Sequence, residues 1–430
     1  MYTKFLKIFL GLLLCLPLSS GAFSILAHEA IIDAEWGRTL VPILKQKYPA
    51  ATDQELITAH AYAYGGSLVA DIGYMPGGNA HFTDLLHYVR SGDFITCLIK
   101  EAGDINEYAF ALGALSHYIA DKYGHSQATN VTVPLLYPEL RQKFGNEVTY
   151  EDDHVSHSRM EFAYDVVQIG RSNYASVAYH DFIGFNIATA PLERAFLKTY
   201  GQHLHDYFSN FSSSISILRW GVKNLFPALT KQAWKSKKDE ITKGNPAATS
   251  HTFRYKMRKY MYKQEFGGKS SKPDFKARAL AFLVHILPKV GPLKSLKFKY
   301  PTAEGERRFV ATFDTIVVRY AGVLNQVKDG NLQFEDINFD TGKPAVYGAY
   351  HLADKAYCKL VNMLQKQGMQ CMTPELQQHI VQYYENVDLR LLFKDSPEKI
   401  QAFSLALEKV KAYPAATNVL TRNANSRIKR

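Results

Sequence analysis

Ala114-Leu115-Ser116-His117-Tyr118-Ile119-Ala120-Asp121-Lys122-Tyr123-Gly124-His125 reduces, at its His and Asp positions, to H-x-x-x-D-x-x-x-H. Residues four apart on a helix share one face, so His117, Asp121 and His125 project in one direction. They close an apolar run whose periodicity predicts a helix from about Asn106. Imidazole and carboxylate are ligands that Zn²⁺ takes. The commoner use of such spacing is a surface ion pair, but three such groups on one apolar helix are hard to satisfy by other means.

A second helical pair strengthens the metal reading. His157-Ser158-Arg159-Met160-Glu161 again sets an imidazole and a carboxylate four apart, among apolar Val155, Phe162 and Val166. Of the 15 histidines, eight (28, 60, 81, 87, 117, 125, 154 and 157) fall between residues 28 and 157. The same region carries Asp71 in the otherwise apolar Gly66-Ser67-Leu68-Val69-Ala70-Asp71-Ile72-Gly73-Tyr74. Together these predict a multinuclear zinc site.

The surrounding chain predicts an all-α protein. Thr52-Asp53-Gln54-Glu55 has the form of a capping box opening a helix to about Tyr64. Gly65-Gly66-Ser67 and Met75-Pro76-Gly77-Gly78 bracket Asp71 in a turn-rich stretch. Farther on, Lys276 to Leu287, Arg307 to Gln326, Ala349 to Gln365 and Pro374 to Leu392 show apolar spacing near three and four. There is no repeat of fixed period and no alternation long enough for a sheet. His351 and Asp354, three apart, read as a surface pair.

The first 22 residues have the anatomy of a secretory signal: Lys4 and Lys7, an apolar run from Ile8 to Leu18, then Ser20-Gly21-Ala22 before a cut. The expected organisation is residues 1–22 as signal peptide, 23–225 as catalytic domain and 226–430 as a helical C-terminal region of unassigned role. Cys15 falls in the removed piece. Cys97, Cys358 and Cys371 are no disulfide framework and no zinc-knuckle pattern. One Cys358–Cys371 bridge and three buried thiols are both compatible with that spacing. The chain carries a formal +11, and residues 231–278 alone hold fourteen Lys or Arg against four Asp or Glu. Within them Phe253-Arg254-Tyr255-Lys256-Met257-Arg258-Lys259-Tyr260-Met261-Tyr262-Lys263 mixes bases with aromatics. Such a strip suits an anionic membrane surface, a nucleic-acid backbone, or simply a solvated face.

Taken in order, these motifs resemble the zinc-dependent phospholipases C and the related fungal single-strand nucleases, over about residues 23–200. In that family the mature N-terminal residue, usually Trp, gives its amino nitrogen and carbonyl oxygen to a zinc; Phe23 stands there, and His28 matches the His that follows. Asn79-Ala80-His81-Phe82-Thr83-Asp84 resembles the family's His-Phe element. His81 is therefore preferred to His87, which as Leu85-Leu86-His87-Tyr88 on a helix suits a core histidine. The resemblance implies three zinc ions. The first is held by the Phe23 main chain and His28 with Asp121 bridging. The second is held by Asp71, His81, His117 and Asp121, and the third by His125, His157 and Glu161.

The expected activity is that of an exported phosphodiesterase of the phospholipase C type. A close metal pair lowers the pKa of a water and offsets the charge of in-line displacement, with Asp71 accepting the proton. Expected partners are a phospholipid or membrane surface. A single-strand nuclease with the same metal core is the alternative, with nucleic acid as its partner, and a zinc-stabilised surface module without turnover is a third reading. Gly342-Lys343 precedes Pro344 without an upstream glycine and is no phosphate-binding P-loop.

Overall fold

The computed structural model describes residues 25–75, 77–171, 173–175, 177–221, 234, 237–243, 246, 297–394 and 396–414. The signal segment 1–22, Phe23, the basic strip 253–263 and the helix expected over 276–287 lie outside the described residues. Among the described residues every regular element is a helix, and the one β pairing is an isolated antiparallel bridge between Ile337 and Pro344. None of the described helices is long and apolar enough to cross a membrane. Seven helices position the site: α1 (Ile25–Glu35), α2 (Asp53–Ser67), α3 (Ala80–Tyr88), α4 (Ile105–Gly124), α5 (His154–Gly170), α6 (Ala303–Lys328) and α7 (His351–Lys366).

α4 is the axis of the bundle. Asp104 caps it, its Oδ1 accepting from the amides of Asn106 and Glu107, both at 2.9 Å. From Tyr108 to Asp121 every residue is buried, so the helix is covered on all sides rather than on one stripe. Against one side lies α2, opened by the expected capping box: Thr52 Oγ1 accepts from the Glu55 amide at 3.3 Å and Glu55 Oε2 from the Thr52 amide at 2.8 Å. The two helices touch through glycine. A Cβ on Gly66 would sit 1.9 Å from the Phe110 carbonyl oxygen, and one on Gly113 would sit 2.1 Å from that of Ala63. Only hydrogens on those Cα atoms permit this approach, which brings the Ser67 end of α2 against the polar end of α4.

The chain beyond residue 297 packs on the same axis. α6 shows a single apolar stripe of Phe309, Ile316, Tyr320 and Leu324, and Tyr320 Oη donates to the Leu112 carbonyl of α4 at 2.8 Å. Buried side chains from Ile25 to Val410 form one continuous core. Two details differ from the sequence reading. The helix expected over 374–392 ends at Tyr383 and resumes only at Arg390–Phe393, because Asn386 turns the chain at positive φ. Asp354 is not in a surface pair: it is buried, accepting from Tyr383 Oη at 2.7 Å and the Gly348 amide at 3.1 Å, and so ties α7 to its neighbours. Of the two arrangements left open for the cysteines, the structure has the unbridged one: Cys97, Cys358 and Cys371 are half-buried thiols.

Gly113→Ala should push α2 from α4 and cost roughly 2–3 kcal/mol or more, the upper range for overpacking a close contact. Gly322→Ala, on the exposed side of α6 with nothing within 4 Å of its added methyl, should gain about 0.5–1 kcal/mol. Denaturant midpoints of the two variants check both signs.

Candidate metal centre

Asp121 is fully buried, and four imidazoles from three helices converge on it. His28 Nε2 of α1 lies 3.4 Å from its Oδ1. Its Oδ2 faces His87 Nε2 of α3 at 3.4 Å, His117 Nε2 of α4 at 3.1 Å and His125 Nε2 at 3.5 Å. His125 opens a π-helical turn (His125–Thr129) that continues α4; its amide bonds back to the Asp121 carbonyl, so the expected face extends to all three residues.

What the opposite ring nitrogens do decides which way each imidazole is presented. Nδ1 of His117 donates to the Ser67 carbonyl at 2.8 Å, and Nδ1 of His87 to the Thr83 carbonyl at 2.9 Å. A ring whose Nδ1 carries the proton has its free lone pair on Nε2, and both Nε2 atoms point into the cluster. The Ser67 carbonyl is available because the glycine contact sets the end of α2 beside α4.

The donors fall into three buried groups: His28, His117 and Asp121; Asp71, His87 and His117; His125, His157 and Glu161. In the second, His87 Nε2 lies 3.5 Å from Asp71 Oδ1. In the third, on α5, Glu161 Oε1 lies 3.0 Å from His157 Nε2 and 3.8 Å from His125 Nε2. Both oxygens of Asp71 and Glu161, and Nε2 of His87, His117, His125 and His157, lack a hydrogen bond although all are buried. Four ligands at zinc bond lengths in a tetrahedron stand roughly 3.3 Å from one another, close to the spacings seen. Buried, unsatisfied, and spaced as the edges of a coordination polyhedron, these residues fit zinc; hydrogen-bonded core histidines would not leave so many lone pairs facing inward.

Electrostatics agree. Burial would raise Asp121, but the His117 and His125 imidazoles outweigh it and hold the carboxyl well below its usual range. Burial opposes charge on His117, yet Asp121 and Asp71 together lift it to about 9. Burial raises both Asp71 and Glu161, the latter strongly, and burial with the nearby His125 pushes His157 down to about 3. Asp121 is thus held as a carboxylate by the imidazoles around it, while burial favours the neutral forms of Asp71, Glu161 and His157.

The structure brings together seven of the residues read from sequence: His28, Asp71, His117, Asp121, His125, His157 and Glu161. Phe23 lies outside the described residues. The placement differs from the sequence reading at His81, because His87, not His81, lies with Asp71 and His117. The cause is local. α3 starts at Ala80, with the Asn79 side chain accepting from the His81 amide at 2.9 Å, so His81 sits in its first turn, its ring 5.7 Å from that of Tyr207. His87, in the last turn, reaches the cluster. Burial and the Lys359 charge push His81 down to about 3, keeping it neutral where it is. Asp340 was not singled out from sequence; it comes from a loop more than 200 residues beyond the motif and touches His125 at 3.1 Å.

Against known proteins, residues 34–210 match the family model described as zinc dependent phospholipase C. That span contains every cluster residue named above except His28 and Asp340. No curated protein and no solved structure matches the chain.

His87→Ala should therefore lower bound zinc by one ion per chain, and His81→Ala should leave zinc content unchanged. Elemental analysis of the two purified variants checks the assignment, and the reverse pattern would return His81 to the ligand set.

Proposed function

Residues 34–210 are a zinc-dependent phospholipase C family domain, and on that premise we propose that the chain is an exported phosphodiesterase that hydrolyses phospholipid headgroup-phosphate esters. The observation that carries this reading is the set of three buried donor groups with their unsatisfied lone pairs. His28 and Asp121 would hold one ion, together with the main chain of Phe23. Asp71, His87, His117 and Asp121 would hold a second, and His125, His157 and Glu161 a third. Zinc bound there lowers the pKa of a water and neutralises negative charge on phosphate oxygens.

The chain's own residues supply the rest. Asp71 is buried beside His87 and His117, so it would be the carboxylate placed to take the proton of the attacking water. The Ser67 and Thr83 carbonyls hold His117 and His87 in one tautomer, so neither ring must reorganise during turnover. Asp121, shared between two groups, keeps them at a fixed separation. A nucleophilic Ser or Cys is not required, and Cys97, Cys358 and Cys371 are not among the cluster's donors. Export is supported by the charged-then-apolar pattern of residues 1–22.

Asp121→Asn should lose occupancy of two ions and reduce turnover by more than roughly 100-fold, beyond the range typical of outer-shell changes. Glu161→Gln should empty the third position alone. A panel of phospholipid vesicles, a small soluble phosphodiester and single-stranded DNA, each with metal analysis, tests the substrate. Hydrolysis of phospholipid is the expected result, and turnover confined to the DNA would replace this reading with the nuclease.

A further inference from the structure

The third donor group is backed by a carboxylate from outside the family match. The chain turns between Ile337 and Pro344, closed by hydrogen bonds from the Asn338 amide to the Lys343 carbonyl and from the Gly342 amide to the Asn338 carbonyl, both 2.8 Å. Asn338 Oδ1 accepts from the Asp340 amide at 2.9 Å and sets the tip of the turn. Gly342 adopts φ +68°, and a Cβ there would lie 2.4 Å from the Lys122 carbonyl, so the turn is pressed against the end of α4. Beside the tip, the Phe339 ring packs 5.0 Å from that of His87 and 5.8 Å from that of His117, while its amide donates to the His87 carbonyl at 3.0 Å.

Asp340 is 2% exposed and its acceptor sites are taken. Oδ2 accepts from the Tyr150 amide at 2.9 Å and from Tyr350 Oη at 2.7 Å. Oδ1 accepts from His125 Nδ1 at 3.1 Å, with His157 Nδ1 at 4.0 Å. The Asn130 side chain donates to its carbonyl at 2.8 Å. These contacts fix both the position and the direction of the carboxylate.

We propose that Asp340 is a positioning residue of the third metal site, through which the C-terminal region completes a centre whose ligands all lie in the first half of the chain. A carboxylate that accepts a hydrogen bond from Nδ1–H of His125 keeps the lone pair on Nε2, the atom within reach of Glu161 at 3.8 Å, orients the ring, and raises its basicity as a ligand. The inference rests on the third group holding an ion.

The chemistry makes an unusual demand on the nearest isostere. In Asp340→Asn the two donors at Oδ2, one of them a main-chain amide that cannot turn, require the amide oxygen on their side. The NH₂ group then faces His125 Nδ1, which must accept, and the proton moves to Nε2, where a ligand lone pair is needed. A shape-conserving change should thus harm the metal site at least as much as Asp340→Ala, the opposite order from a residue that only fills space. Tyr350→Phe removes a buried hydrogen bond to the same carboxylate without altering what His125 meets.

The test measures zinc per chain by elemental analysis, and chelator concentration for release of the weakest ion, in the full chain and four variants: Asp340→Asn, Asp340→Ala, Tyr350→Phe and Glu161→Gln. Cobalt substitution adds a ligand-field spectrum that follows coordination whether or not the protein turns over. Expected is release of one ion at 10–100-fold lower chelator in both Asp340 variants, with a changed cobalt spectrum, and wild-type behaviour in Tyr350→Phe. Wild-type retention in Asp340→Asn, with Glu161→Gln still losing an ion, overturns the role of Asp340 and leaves the third site standing. Equal zinc in Glu161→Gln and wild type overturns the third site itself, and the role of Asp340 with it.

Discussion

The structure depends on a buried carboxylate that cannot stay unpaired. Asp121 has no solvent to share its charge, and an isolated ionised carboxyl in such surroundings is among the most costly arrangements a fold can contain. Four imidazole nitrogens at 3.1–3.5 Å answer it, but Asp71, Glu161 and Asp340 add three more buried carboxyls nearby. Neutral histidines do not offset that charge. Protons driven onto His117 and His125 do so in part, and divalent cations do so while also filling the inward lone pairs. Metal uptake would therefore displace protons at this centre and add to the folding free energy.

That requirement reaches into the packing. The four imidazoles come from α1, α3, α4 and its π-helical extension, so their meeting point fixes how those elements cross. The glycine contact between α2 and α4 is the other half of the constraint. It delivers the Ser67 carbonyl to His117 and places Asp71, in the short 3₁₀ turn after α2, opposite His87. Movement of one helix by the width of a methyl group would shift a ligand by more than a coordination bond tolerates.

Local signals were readable where the chemistry is written at helical spacing. H-x-x-x-D-x-x-x-H and His157–Glu161 announced their shared faces, and the Thr52 box announced the start of α2. Asp71 stood out as a charge in an apolar run. His81 against His87 was not decidable by composition, because both are buried histidines on one short helix. The deciding fact was where the helix begins, and Asn79, a capping residue, is the signal that places His81 in the first turn. Asp340 gave no signal at all: it is one acidic residue in a polar turn, and its value comes entirely from a contact across 215 positions of sequence. The broken helix after Tyr383 was hidden for a similar reason, since apolar spacing continues through a turn that Asn386 makes at positive φ.

The central claim is that these buried donors form a zinc centre with His87 in it. Diffraction from crystals of the purified protein, collected on both sides of the zinc absorption edge, reads it directly. The account predicts anomalous peaks within coordination distance of His28 and Asp121, of Asp71, His87 and His117, and of His125, His157 and Glu161. Absence of a peak from the Asp71, His87 and His117 group, or a peak on His81 instead, would contradict it.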